Sequence, residues 1–453
     1  MDPTTNRISL CSGSGESYYV LEIGDDGSAN YGFGRGIDVD SDGNTYVSGS
    51  IGSDGYIAKL LPSGNLDWDK KMVTGKCTNI FVGSDGIYMQ GESGSSGTGQ
   101  CQFAKFNATN GSTIWQTTST ASGTYWDRQS GFDTSDNSIV ACGRKGYTDF
   151  EGQHGDGTQC KCDSSGTIQW SRYLHSGAHD SRNGAALDIA SGAGARTTSG
   201  DVMHWSSYNP HGYTYDRVQL MRSNGSDGAN TASENSCGFN NGSVDIPTGC
   251  KVNSTDDINV CGDFEQNEAT QGAFLRQMSA QTWRQINFQK RYDTTTASSF
   301  DGLIVDKSGA GSEQDMIYVV GDTTNHGESW SEKAGLIVKY NNSGTIQWER
   351  ALALANTDIQ FLRAAVLEDN LYVIGTKGTS TTRRIVVFKV LKDGSMTGTH
   401  GSYIYKSLSI GDSSVSTSLS HMSISNDAYA PTNGASSTTF SDVAPTYSKQ
   451  PVS

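Results

Sequence analysis

Leu336-Ile-Val-Lys-Tyr-Asn-Asn-Ser-Gly344-Thr-Ile-Gln-Trp348 reads as strand, tight turn and strand. Its first half is an unbroken apolar run around one lysine, the mark of a strand buried on both faces. Asn-Asn-Ser-Gly then makes a tight connection, with glycine supplying the positive φ that such a turn needs. Beyond the turn Ile346 and Trp348 alternate with polar neighbours, as in a strand with one wet face. The phrase returns as Ile57-Ala-Lys-Leu-Leu-Pro-Ser-Gly64-Asn-Leu-Asp-Trp68, as Gln159-Cys-Lys-Cys-Asp-Ser-Ser-Gly166-Thr-Ile-Gln-Trp170, and from Phe103 through Gly111 to Trp115. Weaker copies run over Val387 to Gly394, Val218 to Gly225 and Phe274 to Phe288, and an eighth over Val20 to Tyr31.

A second phrase precedes most copies: an apolar pair, an Asp/Asn/Gly turn, then tyrosine three residues before glycine. Ile37 and Val39 lead to Tyr46 and Gly49, Ile80 and Val82 to Tyr88 and Gly91, Ile304 and Val305 to Tyr318 and Gly321, Ala365 and Val366 to Tyr372 and Gly375. Together the two phrases describe four antiparallel strands per unit, recurring about every 40–60 residues, the period of a propeller blade. The expected fold is an all-β, single β-propeller of eight four-stranded blades, with seven as the alternative count. Residues 18–31 supply an outer half-blade and about 421–434 an inner half. Joining them closes the ring by N- and C-terminal strands over 18–434, leaving 1–17 as a lead-in and 435–453 as a tail.

Composition agrees. The 453 residues include 55 glycines, 20 tyrosines and only 7 prolines, and their 34% hydrophobic content falls in short alternating runs, which suits a thin, distributed core better than disorder. The net charge of −15 carries no Lys/Arg cluster, which argues against nucleic-acid binding. No apolar run is long enough to span a bilayer and the first residues lack signal-peptide features, so neither membrane insertion nor export is expected. The nine cysteines show no C-x-x-C spacing and read as reduced packing thiols; Cys160 and Cys162 occupy the apolar slots filled by Ala58 and Leu60 in a sister copy.

The Y-I-A-K-L-x-x-x-G-x-x-x-W phrase resembles the seven-bladed β-propeller repeat family over most of residues 18–430. With Gly/Ser/Thr/Asn-rich blades and no export signal, the chain is also similar to structural proteins of tailed phages that infect marine cyanobacteria. That resemblance implies a non-enzymatic virion protein of the tail, baseplate or fibre region, made in the host cytoplasm, with other virion proteins as partners. A carbohydrate-binding adhesin or glycan-active propeller acting on surface glycans is the alternative.

Candidate sites follow from residue type. Asp38-Val-Asp40-Ser-Asp42-Gly43 has D-x-D-x-D-G spacing that can surround calcium, although no glutamate follows at EF-hand distance and Asp/Asn/Gly are also ordinary turn residues. No other cofactor is implied. His175, His179, His204 and His211 with Asp180 match no compact metal motif and read as loop histidines. Trp205, Tyr208, Tyr213, Tyr215, Trp330, Asp322 and Glu328 are the loop residues a glycan site would use. The Trp-bearing turn at Asn107 to Trp115 also looks like the docking motif of quinoprotein dehydrogenases, but the adjacent Cys-Cys pair of those enzymes is missing. No catalytic residue is expected. The repeat core is assigned to Trp68, Trp115, Trp170, Trp348, Gly64, Gly166 and Gly344.

Overall fold

The computed structural model describes residues 7–13, 16–24, 32–73, 75–93, 100–119, 124–125, 131–147, 154–175, 186–189, 202–208, 217–223, 226, 230–232, 234–237, 243–266, 270–279, 285–292, 298–379, 382–414, 420–422, 425–429, 433–435 and 440–441. These residues form seven antiparallel sheets. Blade 1 comprises Gly32–Val39, Thr45–Ile51, Asp54–Leu60 and Leu66–Met72; blade 2 comprises Gly75–Gly83, Gly86–Ser93, Gln100–Phe106 and Thr113–Ser119. Blade 3 takes Thr124–Tyr125 and Gly131–Asp133 on its inner side, then Ser138–Tyr147, His154–Cys162 and Ile168–His175. Blade 4 is built from Ala186–Ile189, Val202–Tyr208, Arg217–Ser223 and Glu234–Cys237, and blade 5 from Ser243–Val252, Ile258–Gln266, Thr270–Met278 and Ile286–Tyr292. Blade 6 is Ser298–Asp306, Met316–Thr323, Ala334–Tyr340 and Ile346–Leu354. Blade 7 is Ile359–Leu367, Asn370–Lys377 and Arg384–Leu391, with Glu16–Ile23 from the other end of the chain as its fourth strand. Each blade touches the next, and blade 7 touches blade 1, so the ring closes.

The all-β propeller is therefore present, and its blade count is the seven of the alternative rather than eight. The eighth copy is half of another: the chain turns away after Gly394, and Glu16–Ile23 fills the vacant fourth place in blade 7. Its register is diagnostic, because Tyr19 faces Lys389 just as Trp68 faces Lys59 and Trp348 faces Lys339. The closing partner of the N-terminal strand is thus Arg384–Leu391 and not the region around 421–434.

That region has another role. Tyr403–Ser407 pairs with the outer strand of blade 6, Asp412–Ser414 with blade 5, Ser420–Met422 with blade 4, Ser425–Tyr429 with blade 3, Asn433–Ala435 with blade 2 and Phe440–Ser441 with blade 1. The C-terminal segment is a strap that runs backward round the perimeter, giving each of six blades an additional outer strand. Blade 7 receives its own from Arg7–Gly13, which pairs with Glu16–Ile23. Within the presumed lead-in and tail, Arg7–Gly13, Ala435 and Phe440–Ser441 therefore lie in perimeter strands of the ring, and the rest of the tail lies outside the described residues. Short terminal strands of this kind cap an outer edge that would otherwise template pairing with another chain.

The apolar core lies in the seams between blades. Tyr318, Val320, Ile337 and Leu352 of blade 6 meet Phe361, Val373, Val386 and Phe388 of blade 7, and similar clusters join blades 7 and 1, 1 and 2, 2 and 3, and 5 and 6. Within each seam the repeated phrase makes the same contacts. The turn glycine lies beneath the aromatic ring of the preceding blade: a Cβ on Gly111 would sit 2.6 Å from Trp68, on Gly166 2.8 Å from Trp115, on Gly344 2.6 Å from Phe288, and on Gly394 2.7 Å from Trp348. The indoles of Trp68 and Trp115 also donate to the Ala108 and Ser164 carbonyls at 3.2 and 2.9 Å. Behind them the phrase tyrosine packs on the tryptophan of its own blade, with centroids 6.1 Å apart for Tyr46–Trp68 and Tyr88–Trp115. The phrase lysine buries its stem and ends on an acid, as in Lys105–Asp85 at 2.6 Å and Lys59–Asp67 at 2.9 Å.

The glycine of the second phrase has a different cause. In five blades the first strand bulges at Arg35, Thr78, Thr248, Asp301 or Leu362. The bulge drives a backbone carbonyl toward the second strand, so a Cβ on Gly49 would lie 2.1 Å from the Phe33 oxygen, and one on Gly321 1.9 Å from the Ser299 oxygen. No side chain can give way there. Gly49→Ala is expected to lower stability by about 1–3 kcal/mol through this overpacking, read as an earlier denaturant midpoint; an unchanged midpoint would show that the bulge relaxes freely.

Candidate functional site

A group of mutually interacting ionisable side chains spans blades 5, 6 and 7. Three carboxylates meet there. Asp301 is the bulged residue of the first strand of blade 6, and Asp263 and Asp322 occupy matching places in the second strands of blades 5 and 6, each just after the glycine that faces a bulge. The Ser299 hydroxyl lies between Asp301 and Asp322, 3.1 and 3.0 Å from their carboxyl oxygens, and donates its one hydrogen to either. Asp263 accepts the Phe300 amide at 2.9 Å, Gln360 of blade 7 donates to Asp301 at 3.0 Å, and Lys333 pairs with the almost fully buried Asp322 at 2.9 Å. Arg363 donates to the backbone carbonyl of Asp301, tying blade 7 to the bulge.

Burial and mutual repulsion set the protonation of this group. Desolvation, then the Asp322 charge, pushes the Asp301 carboxyl up to about 6, and desolvation with the Asp301 charge lifts Asp263 well above its ordinary range. For Lys333, burial alone would lower the ammonium's pKa, but the neighbouring carboxylates outweigh it and raise it. Such a cluster can store and exchange a proton near neutral pH while fastening three blades together.

A carboxyl whose folded value is raised stabilises the fold fully below its unfolded value, and that stabilisation is lost as pH rises through about 6. Lowering the pH from 8 to 5 should therefore add about 1 kcal/mol through Asp301. Asp301→Asn should remove that share of the slope in a denaturation series; an identical slope in the variant would contradict the assignment.

Sequence reasoning named Asp322 but missed Asp263 and Asp301. The signal was available in the second phrase, where the residue after the phrase glycine is acidic at Glu92 and Asp322, while Asp263 follows Gly262 in a blade that lacks the phrase tyrosine. The expected calcium triad does not assemble. Asp38 accepts the Val39 and Val82 amides at 2.9 and 2.7 Å and joins blade 1 to blade 2, with burial pushing its carboxyl up to about 6. Asp40 is consumed by its own turn, accepting from the Asp42 and Asn44 amides, the Asn44 side chain and the Tyr46 hydroxyl at 2.8–3.0 Å. Asp42 points to solvent. The same turn is held by Asp163, Asn253 and Asn341 in other blades, so its residue types follow from turn geometry. Among the described residues no group of three or more His, Cys, Asp or Glu side chains is placed to hold a metal ion.

The remaining candidates are dispersed. His175, His204, Trp205 and Tyr208 are placed only as strand positions, while His179, Asp180, His211, Tyr213 and Tyr215 lie outside the described residues. Trp330 lies 6.0 Å from the His326 ring, and Glu328 pairs with Lys406 of the strap at 2.5 Å. Cys160 and Cys162 lie with Cys101 in the apolar seam of blades 2 and 3, where burial pushes the Cys160 thiol up to about 12. Trp68 and Trp170 are buried, and Gly64, Gly166 and Gly344 all have positive φ. Among the described residues no helix is long and apolar enough to cross a membrane.

No protein-family model matches the chain, and no curated protein matches it. Among solved structures it is similar to virginiamycin B lyase from Staphylococcus aureus, with 10% identity over 82% of this chain and 98% of that one and a TM-score of 0.48. The propeller assignment accordingly rests on the seven sheets and their closure.

Proposed function

We propose that this protein is a non-enzymatic docking scaffold of a phage particle, placed in the tail, baseplate or fibre region, with other virion proteins as its partners. The observation that carries the scaffold reading is the use of both chain ends as perimeter strands. Radial repetition leaves a propeller only short edges, and strands from the chain ends cover them further. Here the N-terminal strand completes blade 7 and the strap pairs with the outer strands of the other six blades, so the two chain ends together tie into all seven. The acidic surface, with a net charge of −15, favours partners that present basic faces. The phage setting is supported by the resemblance of the Gly/Ser/Thr/Asn-rich blades to structural proteins of tailed phages.

Mass spectrometry of purified particles tests this reading. Peptides from this chain should be present at a fixed ratio to the other structural proteins, and particles free of them would remove the virion role.

A further inference from the structure

The seam between blades 7 and 1 holds a cavity of about 480 Å³ on the face formed by the tight turns. This is the seam at which the N-terminal strand closes the ring and the phenol of Tyr19 stands in the place that Trp68, Trp115 and Trp348 occupy elsewhere. The cavity is lined by Asp42 and Leu61 from blade 1 and by Glu368, Asn370, Tyr372 and Lys389 from blade 7.

We infer that this cavity binds a neutral polyhydroxylated ring of monosaccharide size. Its volume falls in the range of small-molecule sites. Two carboxylates and one ammonium line the same space, so a strongly anionic ligand meets Asp42 and Glu368, and a strongly cationic one meets Lys389. A hydroxyl is both donor and acceptor and satisfies either kind of group. Asn370 adds a specific demand: it is 3% exposed, it lines the cavity, and its Oδ1 has no hydrogen-bond partner, a deficit that a ligand donor would relieve. Leu61, 36% exposed beside Pro62, offers an apolar wall for the C–H face of a ring. Glu368 is held at φ +51°, a conformation uncommon for a residue with a side chain, in the turn that presents it at this cavity. The site goes beyond the scaffold reading and does not depend on it.

Saturation-transfer NMR on the full chain tests the inference with four probes: methyl α-D-glucopyranoside, methyl α-D-mannopyranoside, methyl β-D-galactopyranoside and N-acetyl-D-glucosamine. Acetate and tetramethylammonium serve as charged comparisons. At least one sugar should receive saturation, and its affinity should fall about tenfold in Asn370→Leu and in the doubly substituted Asp42→Ala/Glu368→Ala protein. The double substitution is at exposed turn positions, so it reports binding even if Asn370→Leu disturbs folding. Absence of transfer to all four sugars, equal transfer in wild type and the double variant, or preferential binding of either ion would overturn the inference.

Discussion

Trp68→Ala should destabilise the ring by about 3–5 kcal/mol, the range for removing a large aromatic from a packed core. Three losses coincide at this residue. The indole covers Gly111 of the next blade, donates to the Ala108 carbonyl at 3.2 Å, and packs against Tyr46 of its own blade. Because the core is distributed over seams, the cost falls on the joint between blades 1 and 2, and the denaturation transition should broaden as well as move. Trp68→Phe should recover much of the packing without the hydrogen bond, as Phe288 does over Gly344. A loss below about 0.5 kcal/mol for alanine, within the range of surface substitutions, would show that the seams do not hold the ring.

Glu22→Ala is the second large effect expected, at about 3 kcal/mol, the lower end for breaking a buried ion pair. Glu22 lies in the imported strand of blade 7 and receives Lys377 at 2.5 Å, Arg384 at 3.1 Å and the Tyr403 hydroxyl at 2.5 Å. One carboxylate therefore fastens the N-terminal strand, the blade it completes and the start of the C-terminal strap. Both cations retain a fifth of their exposure, which is why the lower end applies. Burial alone would raise the Glu22 carboxyl, but Lys377, Tyr403 and Arg384 outweigh it and hold it below its ordinary value. The contribution is thus present above the unfolded value of 4.5 and is lost as pH falls through the lowered folded value. Wild type and Glu22→Ala should therefore converge in stability in strong acid and differ most near neutrality; a pH-independent difference would assign the effect to packing instead.

The repeat phrases made most of the fold legible. Glycine at the hairpin turn, the apolar strand before it and the alternating strand after it are local requirements, visible wherever they occur. The blade count was harder for a physical reason: a blade assembled from both chain ends shows half of its phrase at Val20 and half at Val387, and each half reads as a copy. The strap left almost no signal. Its strands are two to five residues long and pair through backbone groups that every residue possesses, so His421 to Tyr429 passed for a half-blade. The acidic cluster was only partly legible: an acid after the phrase glycine marks Asp322 and Asp263, but nothing along the chain shows that blade 5 brings Asp263 against the bulged Asp301 of blade 6. Conversely, the D-x-D-x-D-G run looked like a ligand set, although Asp38 and Asp40 are each spent on backbone amides.

With the N-terminal strand closing blade 7 and the C-terminal segment strapping the other blades, the strap reaches blade 2 near its far end. Thr117 of blade 2 and Ala435 are register partners across the fifth strand. Oxidation of a Thr117→Cys/Ala435→Cys protein should give an intramolecular disulfide at high yield, detected as a shifted band on a non-reducing gel and as a cross-linked peptide pair. Val20→Cys paired with Ser425→Cys, the junction an eight-bladed ring would need, should give none. Cross-linking of the second pair and not the first would contradict the seven-bladed, strapped ring.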